Sequence, residues 1–437
     1  MTADSPLNIA LIGFGTVGSG VARILETEAE SIAIRAGRPI SIRHVVVRDI
    51  SKAREHLPPD ATVSTSIDAV VVDPNVQLVA QLVGGLDPAH DYMQRFLAAG
   101  KDVVTANKAL VYAHGAELFE TAKNLGRTIG FEAAVAGGIP IISAVTQALT
   151  GNRILGIEAI LNGTSNFILT QMLDHEQSYD DVLKEAQRLG YAEADPAMDV
   201  DGTDAAQKLS ILTWLAFGTS VRLDSFVRQG IDSLQLLDLQ VAAELGYKIK
   251  LLATSRLNDG RLELSVQPTL IRRDRTVAQI DGADNIVAVT GDALGRATFS
   301  GAGAGQLPTA SAVMADIIDY ATGRSAVTFA SILRSTGMSQ LPLQPPEELT
   351  RRYYLRFTVE DRPHVLADIT DVLGRNQISI SSVRQDETPE DDEDGAGLAR
   401  LVIMTHRTTE GRLATADKEL RQLACIRGDS INLPVAD

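Results

Sequence analysis

Residues 7–20 read Leu-Asn-Ile-Ala-Leu-Ile-Gly-Phe-Gly-Thr-Val-Gly-Ser-Gly. The apolar run at 7–12 has the length and composition of a buried strand, and 16 to about 35 has the periodicity of a helix. Between them, Gly13-Phe14-Gly15-Thr16-Val17-Gly18 carries three glycines at the spacing of the dinucleotide fingerprint. The first makes the tight turn, the second lets a pyrophosphate approach the backbone, and the third lets helix and strand pack closely. The exposed N–H groups of the helix N-terminus then attract the phosphates. Glycine turns are common, so it is the strand before and the helix after that favour coenzyme binding over a merely structural turn.

Outward from this turn, further strands are expected at 40–48, 76–83, 102–105 and 127–132, with a helix at 89–99, as in repeated βαβ units. That is a doubly wound, Rossmann-type α/β domain over 1–138. After Gly137 and Gly138 the chain turns to long helical patterns at 140–149, 179–189 and 203–217 and strand-like runs within 251–289, an α+β domain over 139–300. A glycine-rich stretch at 301–305 opens a helix at 309–320 that is expected to return to the first domain, completing it with about 301–335. Three prolines at 340–348 mark a linker. The remainder, 351–437, follows a βαββαβ pattern in its own small domain.

The whole chain has 437 residues, enough for about three domains at roughly 150 residues each. Its 40 basic against 56 acidic residues give a net charge of -16, which repels phosphate backbones and argues against nucleic-acid binding. Much of that charge lies in the acidic stretch 386–394, read as a solvated insertion. The single cysteine, Cys425, allows neither an internal disulfide nor a cysteine-based metal cluster, and fits a reducing, cytoplasmic setting. The apolar start is broken by Gly13, Gly15, Gly18 and Gly20 and has no basic residue ahead of it, so neither a signal peptide nor a membrane span is expected.

The usual acidic residue about 20 positions after the fingerprint is not at that distance. Arg48, ending the second strand, stands where a guanidinium would meet a 2′-phosphate, with Lys52 four residues on. NADP is favoured, and the neighbouring Asp49 keeps NAD open. Lys108 directly follows the strand at 102–105, at the carboxyl edge where such sheets bind ligands, a position that a surface lysine opening a helix would also take.

From Glu193 to Lys208 five carboxylates fall close together. A calcium loop is disfavoured, because Gly202 comes too soon after Asp199 and Asp201, and Ser210 stands where a terminal glutamate is needed. On a helix at 203–217, Asp204 and Lys208 share the face of Ile211, Leu212 and Leu215. A solvated ion pair would sit on the opposite face, and burying two charges is costly unless they are paired or used. No histidine falls in this cluster, Cys425 is far from the coenzyme turn, and zinc ligands for alcohol oxidation are missing from it. Lysine remains to handle the substrate proton.

The runs GFGTVGSG (13–20), TANKAL (105–110), FEAAVAGGIPII (131–142), LNGTSNFIL (161–169) and GYAEADPAMDVDGTDAAQK (190–208) resemble homoserine dehydrogenase over about 7–320. The C-terminal stretch resembles an ACT regulatory domain through 361–366 and 376–380, although His364 stands where that pattern has glycine. The resemblance implies reversible oxidation of the amino acid L-homoserine to L-aspartate 4-semialdehyde with NAD(P). It implies Lys208 as proton donor to the aldehyde oxygen, Lys108 assisting beside the nicotinamide, Glu193 on the substrate ammonium, and Asp199 and Asp204 completing the site. It also implies a sodium site from Glu132 and the backbone oxygens of Val135, Gly137 and Ile139, a coenzyme contact at Gly305, threonine as effector, and a homodimer or homotetramer. A dinucleotide-binding sensor without turnover, or another amino-acid dehydrogenase on the same frame, are the competing readings; a sensor has no use for the two lysines and Glu193.

Overall fold

A computed structural model of the chain describes residues 5–192, 195–337, 340–387 and 397–436. Glu193 and the part of the acidic stretch at 388–394 lie outside the described residues. By compactness the chain divides into two interleaved units. The first takes 1–157, 207–222 and 284–341; the second takes 158–206, 223–283 and 342–437.

In the first unit, β1 (Leu7–Ile12), β2 (Ile40–Val46), β3 (Thr62–Ser64), β4 (Leu78–Gln81), β5 (Asp102–Thr105) and β6 (Ile129–Gly130) form a sheet ordered β3-β2-β1-β4-β5-β6. Every neighbouring pair is parallel. Helices cover both faces, which is why β1 is apolar at nearly every position. Leu7, Ile9 and Leu11 are fully buried, each side chain contributing about 1.5–3 kcal/mol. The strand order reverses between β1 and β4, the point at which open parallel sheets take ligands beyond their carboxyl ends.

Three elements of this unit differ from their expected form. The helix foreseen at 16–35 is two, Thr16–Thr27 and Ala29–Ala36, because Glu28 leaves helical geometry at ψ 23°; a hydrophobic period does not register a one-residue break. The strand foreseen at 127–132 shrinks to β6, and Glu132 opens a 3-10 turn. There the Asp316 side chain packs on Gly130 and accepts the Glu132 N–H at 2.9 Å, drawing the chain off the sheet. The helix foreseen at 140–149 is a short turn, Ile141–Ser143, that widens into a π-helical segment, Ala144–Ala148.

The helix Gln306–Ala321 does return to the first sheet. It lies against Thr16–Thr27 so closely that a Cβ on Gly20 would stand 2.9 Å from the Ala310 Cβ. Its buried Val313, Met314 and Ile317 join one core with Leu7, Ile9 and Leu11 of β1.

In the second unit the long strands Tyr247–Asn258 and Arg261–Arg272 pair antiparallel. Their two-residue link, Asp259-Gly260, has positive φ at both positions, 48° and 77°, the geometry that matches the strand twist and that Asp-Gly adopts readily. Toward the C-terminus, Ile426–Ala436, Thr350–Glu360, Leu398–Thr405 and Ile380–Glu387 lie side by side in that order, all antiparallel. The helices Val365–Arg375 and Glu410–Leu420 pack their apolar residues on this sheet, and Cys425 is buried in the same core. Among the described residues no helix is long and apolar enough to cross a membrane.

Arg356 on the strand Thr350–Glu360 and Asp238 on the helix Leu236–Glu244 are both almost fully buried. Arg356 donates Nε to Oδ1 at 2.5 Å and Nη2 to Oδ2 at 3.2 Å, and the Tyr354 hydroxyl donates to Oδ1 at 3.2 Å. Removing one partner of such a pair strands the other charge. Arg356→Ala is therefore expected to lower stability by about 3–5 kcal/mol in denaturant unfolding followed by circular dichroism. The double substitution Arg356→Met with Asp238→Leu is expected to cost clearly less.

Candidate active site

The glycine turn has the conformation its sequence implied. Gly13 sits at φ 101°, a region that strains any side chain, and donates its N–H to the Val46 carbonyl at 2.8 Å. A Cβ on Gly18 would come within 2.3 Å of the Gly13 carbonyl oxygen, whereas around Gly15 there is open space. That is the division of labour a phosphate-binding turn needs: two glycines keep the fold tight and one leaves the approach clear. Phe14 and Gly15 line a groove of about 1020 Å³ together with Arg48, Asp49, Lys52, residues 82–84 and Gln306. Thr16 and Val17 begin the helix beyond it. Gly305, at φ 118°, precedes the helix whose first residue, Gln306, lines the groove and donates to the Ser19 hydroxyl at 3.0 Å.

One end of the groove is basic. Arg48 and Lys52 are exposed there, and Arg54, which sequence reasoning did not single out, joins them by donating to the backbone carbonyls of Asp49 and Lys52. Asp49 is turned back on its own loop, accepting from the Ser51 hydroxyl at 2.7 Å and the Ser51 N–H at 2.9 Å. The Ser51 hydroxyl, then its N–H, hold this carboxyl below the usual aspartate range.

Lys108 is the first residue of the helix Lys108–Asn124, directly beyond β5. The residue before it does the positioning. Asn107 caps the helix by accepting the Leu110 N–H at 3.0 Å, and its amide donates to the carbonyls of Val83 at 3.0 Å and Gly85 at 2.6 Å. Thr105 bonds Gln81 at 2.8 Å underneath, and Gln81 in turn donates to Val83 at 2.8 Å. The lysine thus starts from a backbone tied to the loop that lines the groove.

Lys208 lies on the helix Thr203–Phe217, half-buried and one turn beyond Asp204, on the side of the buried Ile211, Leu212 and Leu215. Farther along, Trp214 of this helix packs on Phe119 with ring centroids 5.1 Å apart. Phe119 belongs to the helix that Lys108 opens, so the two lysine-bearing helices pack on each other in the first unit.

In the second unit Asp199 and Asp204 come together through Asn162, a residue that hydrophobic patterning alone does not mark. Asn162 donates its amide to Asp199 Oδ1 at 2.8 Å and to Asp204 Oδ2 at 2.9 Å. Its carbonyl oxygen accepts the Ser165 N–H at 2.7 Å, capping the helix Gly163–Asp174, and the Ser165 hydroxyl donates to the Asp199 carbonyl at 2.7 Å. Asp204 is only 2% exposed. The signal in the sequence was an asparagine at a helix start after a strand, followed by a serine three residues on.

Glu132, Val135, Gly137 and Ile139 share one loop, in which Ala136 and Gly137 both have positive φ, 56° and 46°. Glu132 is buried, and its two oxygens accept the Ile142 and Ser143 N–H groups at 2.8 Å each, at the start of the next helix. Each carboxylate oxygen retains a further lone pair, so the donor set, all oxygen, suits a hard monovalent cation. The Ile139 carbonyl also accepts the Ile141 N–H at 2.7 Å. Burial raises the Glu132 carboxyl above its ordinary range against the pull of those N–H donors. Burial, then repulsion by Glu132, raises Asp316 well above its own.

Both acids bind protons more tightly folded than unfolded. Their protonated forms therefore favour the fold below the ordinary carboxyl range of about 4, and that support is lost as pH rises through the raised values. Asp316→Asn keeps an oxygen to accept the Glu132 N–H and removes the charge. It is expected to raise the melting temperature at pH 8 by about 2–4 °C and to lose this advantage toward pH 4, by calorimetry across that range.

Three family models match the chain: "Homoserine dehydrogenase, NAD binding domain" over 13–132, "Homoserine dehydrogenase" over 140–318, and "ACT domain" over 353–425. The chain is 41% identical over 438 residues to a homoserine dehydrogenase of Pseudomonas aeruginosa, covering 98% of this chain and 99% of that one. A crystal structure of a homoserine dehydrogenase from Thiobacillus denitrificans is similar at a TM-score of 0.91 and 42% identity, with 99% of each chain covered. A hyperthermophilic archaeal homoserine dehydrogenase in complex with NADPH is similar at a TM-score of 0.62 and 28% identity, over 73% of this chain and 98% of that one.

Proposed function

The chain belongs to the homoserine dehydrogenase family, and on that premise we propose how its own residues divide the work. The reaction is the reversible, NAD(P)-dependent interconversion of L-aspartate 4-semialdehyde and L-homoserine, on the route to threonine, methionine and isoleucine. A bound nicotinamide coenzyme supplies or accepts the hydride.

Lys208 gives its proton to the aldehyde oxygen as negative charge grows there, and takes it back in the oxidation, for which the amine must start neutral. Lys108 assists beside the coenzyme. Asp204, one turn before Lys208 on the same helix, orients it, and Asp199 completes the substrate site with Glu193 on the substrate ammonium. The observation that carries this reading is the packing of the two lysine-bearing helices through Trp214 and Phe119, which gives both amines a common rigid support.

The coenzyme is held by Gly13, Phe14, Gly15, Thr16, Val17 and Gly18, with Gly305 at the start of the returning helix. NADP is the preferred form, because Arg48, Lys52 and Arg54 gather at one end of the groove while Ser51 occupies Asp49. Glu132 and the carbonyls of Val135, Gly137 and Ile139 hold a structural sodium ion. Functionally, 1–138 closed by about 301–335 binds coenzyme, 139–300 binds substrate, and 351–437 is regulatory. The regulatory part answers to threonine in a cytoplasmic homodimer or homotetramer. His364 there has φ 73° at the start of the helix Val365–Arg375, a left-handed conformation that glycine adopts most readily.

The purified chain with L-homoserine and NADP at alkaline pH is expected to show rising absorbance from reduced nicotinamide. Lys208→Ala is expected to lose about 10²–10⁴ in kcat with coenzyme affinity preserved in a fluorescence titration. A near-normal rate in that variant would overturn the assignment. NADP binding without any turnover would instead favour a dinucleotide sensor, and added threonine tests the effector. Arg48→Ala is expected to raise KM for NADP by about tenfold or more, the loss of one charged hydrogen bond, and to leave KM for NAD nearly unchanged.

A further inference from the structure

Two helices of the first unit carry a cluster that neither the coenzyme nor the substrate reading uses. His90 lies on Ala89–Ala98; His114 and Glu117 lie one turn apart on Lys108–Asn124. The imidazole centroids are 4.3 Å apart with the planes tilted by 40°. Nε2 of His90 is 3.2 Å from Oε1 of Glu117, and Nδ1 of His114 is 3.5 Å from Oε2. One nitrogen or oxygen from each residue lies within 4.8 Å of the other two.

Stacked imidazoles alone need not aim ring nitrogens at one carboxylate. Two imidazoles and a carboxylate are a donor set for zinc and its neighbours, not for calcium or magnesium. In a tetrahedral site with bonds of about 2.0–2.1 Å, ligand atoms stand roughly 3.3 Å apart, which the two nitrogen–carboxylate separations already approach. The surroundings add what such a site requires outside its ligands: Gln94 donates Nε2 to Glu117 Oε1 at 2.8 Å, fixing the carboxylate. All three ligands keep one side toward solvent, with side chains 27%, 34% and 53% exposed, so an ion can enter and retain water.

We propose that His90, His114 and Glu117 bind a divalent transition metal of the zinc class, which staples the helix Ala89–Ala98 to the helix Lys108–Asn124. The site is structural and modulatory. His114 is six residues along the helix from Lys108, about 9 Å of axial rise, and the residues leading into the His90 helix, Asp87 and Pro88, line the coenzyme groove. A metal ion there ties the helix that Asp87 and Pro88 lead into, whose Tyr92 also lines the groove, to the helix that Lys108 opens.

The test uses the full chain, treated with chelator and then titrated with zinc chloride and, separately, cobalt(II) chloride in sodium-containing buffer. Calorimetry is expected to show one ion per chain, cobalt to give a visible ligand-field band, and zinc to raise the melting temperature. His114→Ala and Glu117→Gln are each expected to weaken binding by about tenfold or more, with an unchanged circular dichroism spectrum as the sign of an intact fold. His175→Ala, which removes an exposed imidazole on another helix end, is expected to bind as the unaltered chain does. No ion bound at millimolar zinc, or equal binding in the His114 and Glu117 variants, overturns the proposal.

Discussion

Two carboxylates brought close together repel each other unless a group that donates to both stands between them. In this protein it is the Asn162 amide, with one hydrogen bond to Asp199 and one to Asp204. Because the same asparagine caps a helix through its other side-chain atom, it has no freedom to turn away. A neutral residue thus sets the spacing of the two charged ones.

The coenzyme half obeys a similar economy. Gly13 and Gly18 hold the turn tight, Asn107 ties the lysine helix to the loop beyond β4, and the returning helix Gln306–Ala321 covers the one that starts at the turn. None of these contacts is large. Their effect is to remove alternative positions for the groove walls, which is what preorganisation means for a reaction sensitive to fractions of an ångström.

Much of this was legible in the chain. The parallel sheet followed from the glycine turn and short apolar runs, and the helix at 203–217 kept its expected bounds because its apolar face, with Asp204 and Lys208 on it, is consistent from end to end. What sequence periodicity missed depends on contacts between distant segments. Asp316 pulling Glu132 off the sheet, Arg54 entering the basic end of the groove, and His90 meeting His114 each join residues from different elements. The long strands at 247–258 and 261–272 were underestimated because Asp259-Gly260 is brief enough to pass for an ordinary loop. The two interleaved units likewise follow from where segments meet, which composition along the chain does not encode.

The returning helix has a consequence for the order in which the protein is made. Gln306 reaches Ser19 across 287 positions of sequence, so the N-terminal sheet leaves the ribosome long before its cover exists. At roughly 5–20 residues per second, the glycine turn and its strand wait on the order of 15–60 s for that helix to be synthesised. During this interval Gly20 and the apolar face around it are open to solvent. A nascent chain of this design depends on whatever shields that surface until synthesis passes residue 321.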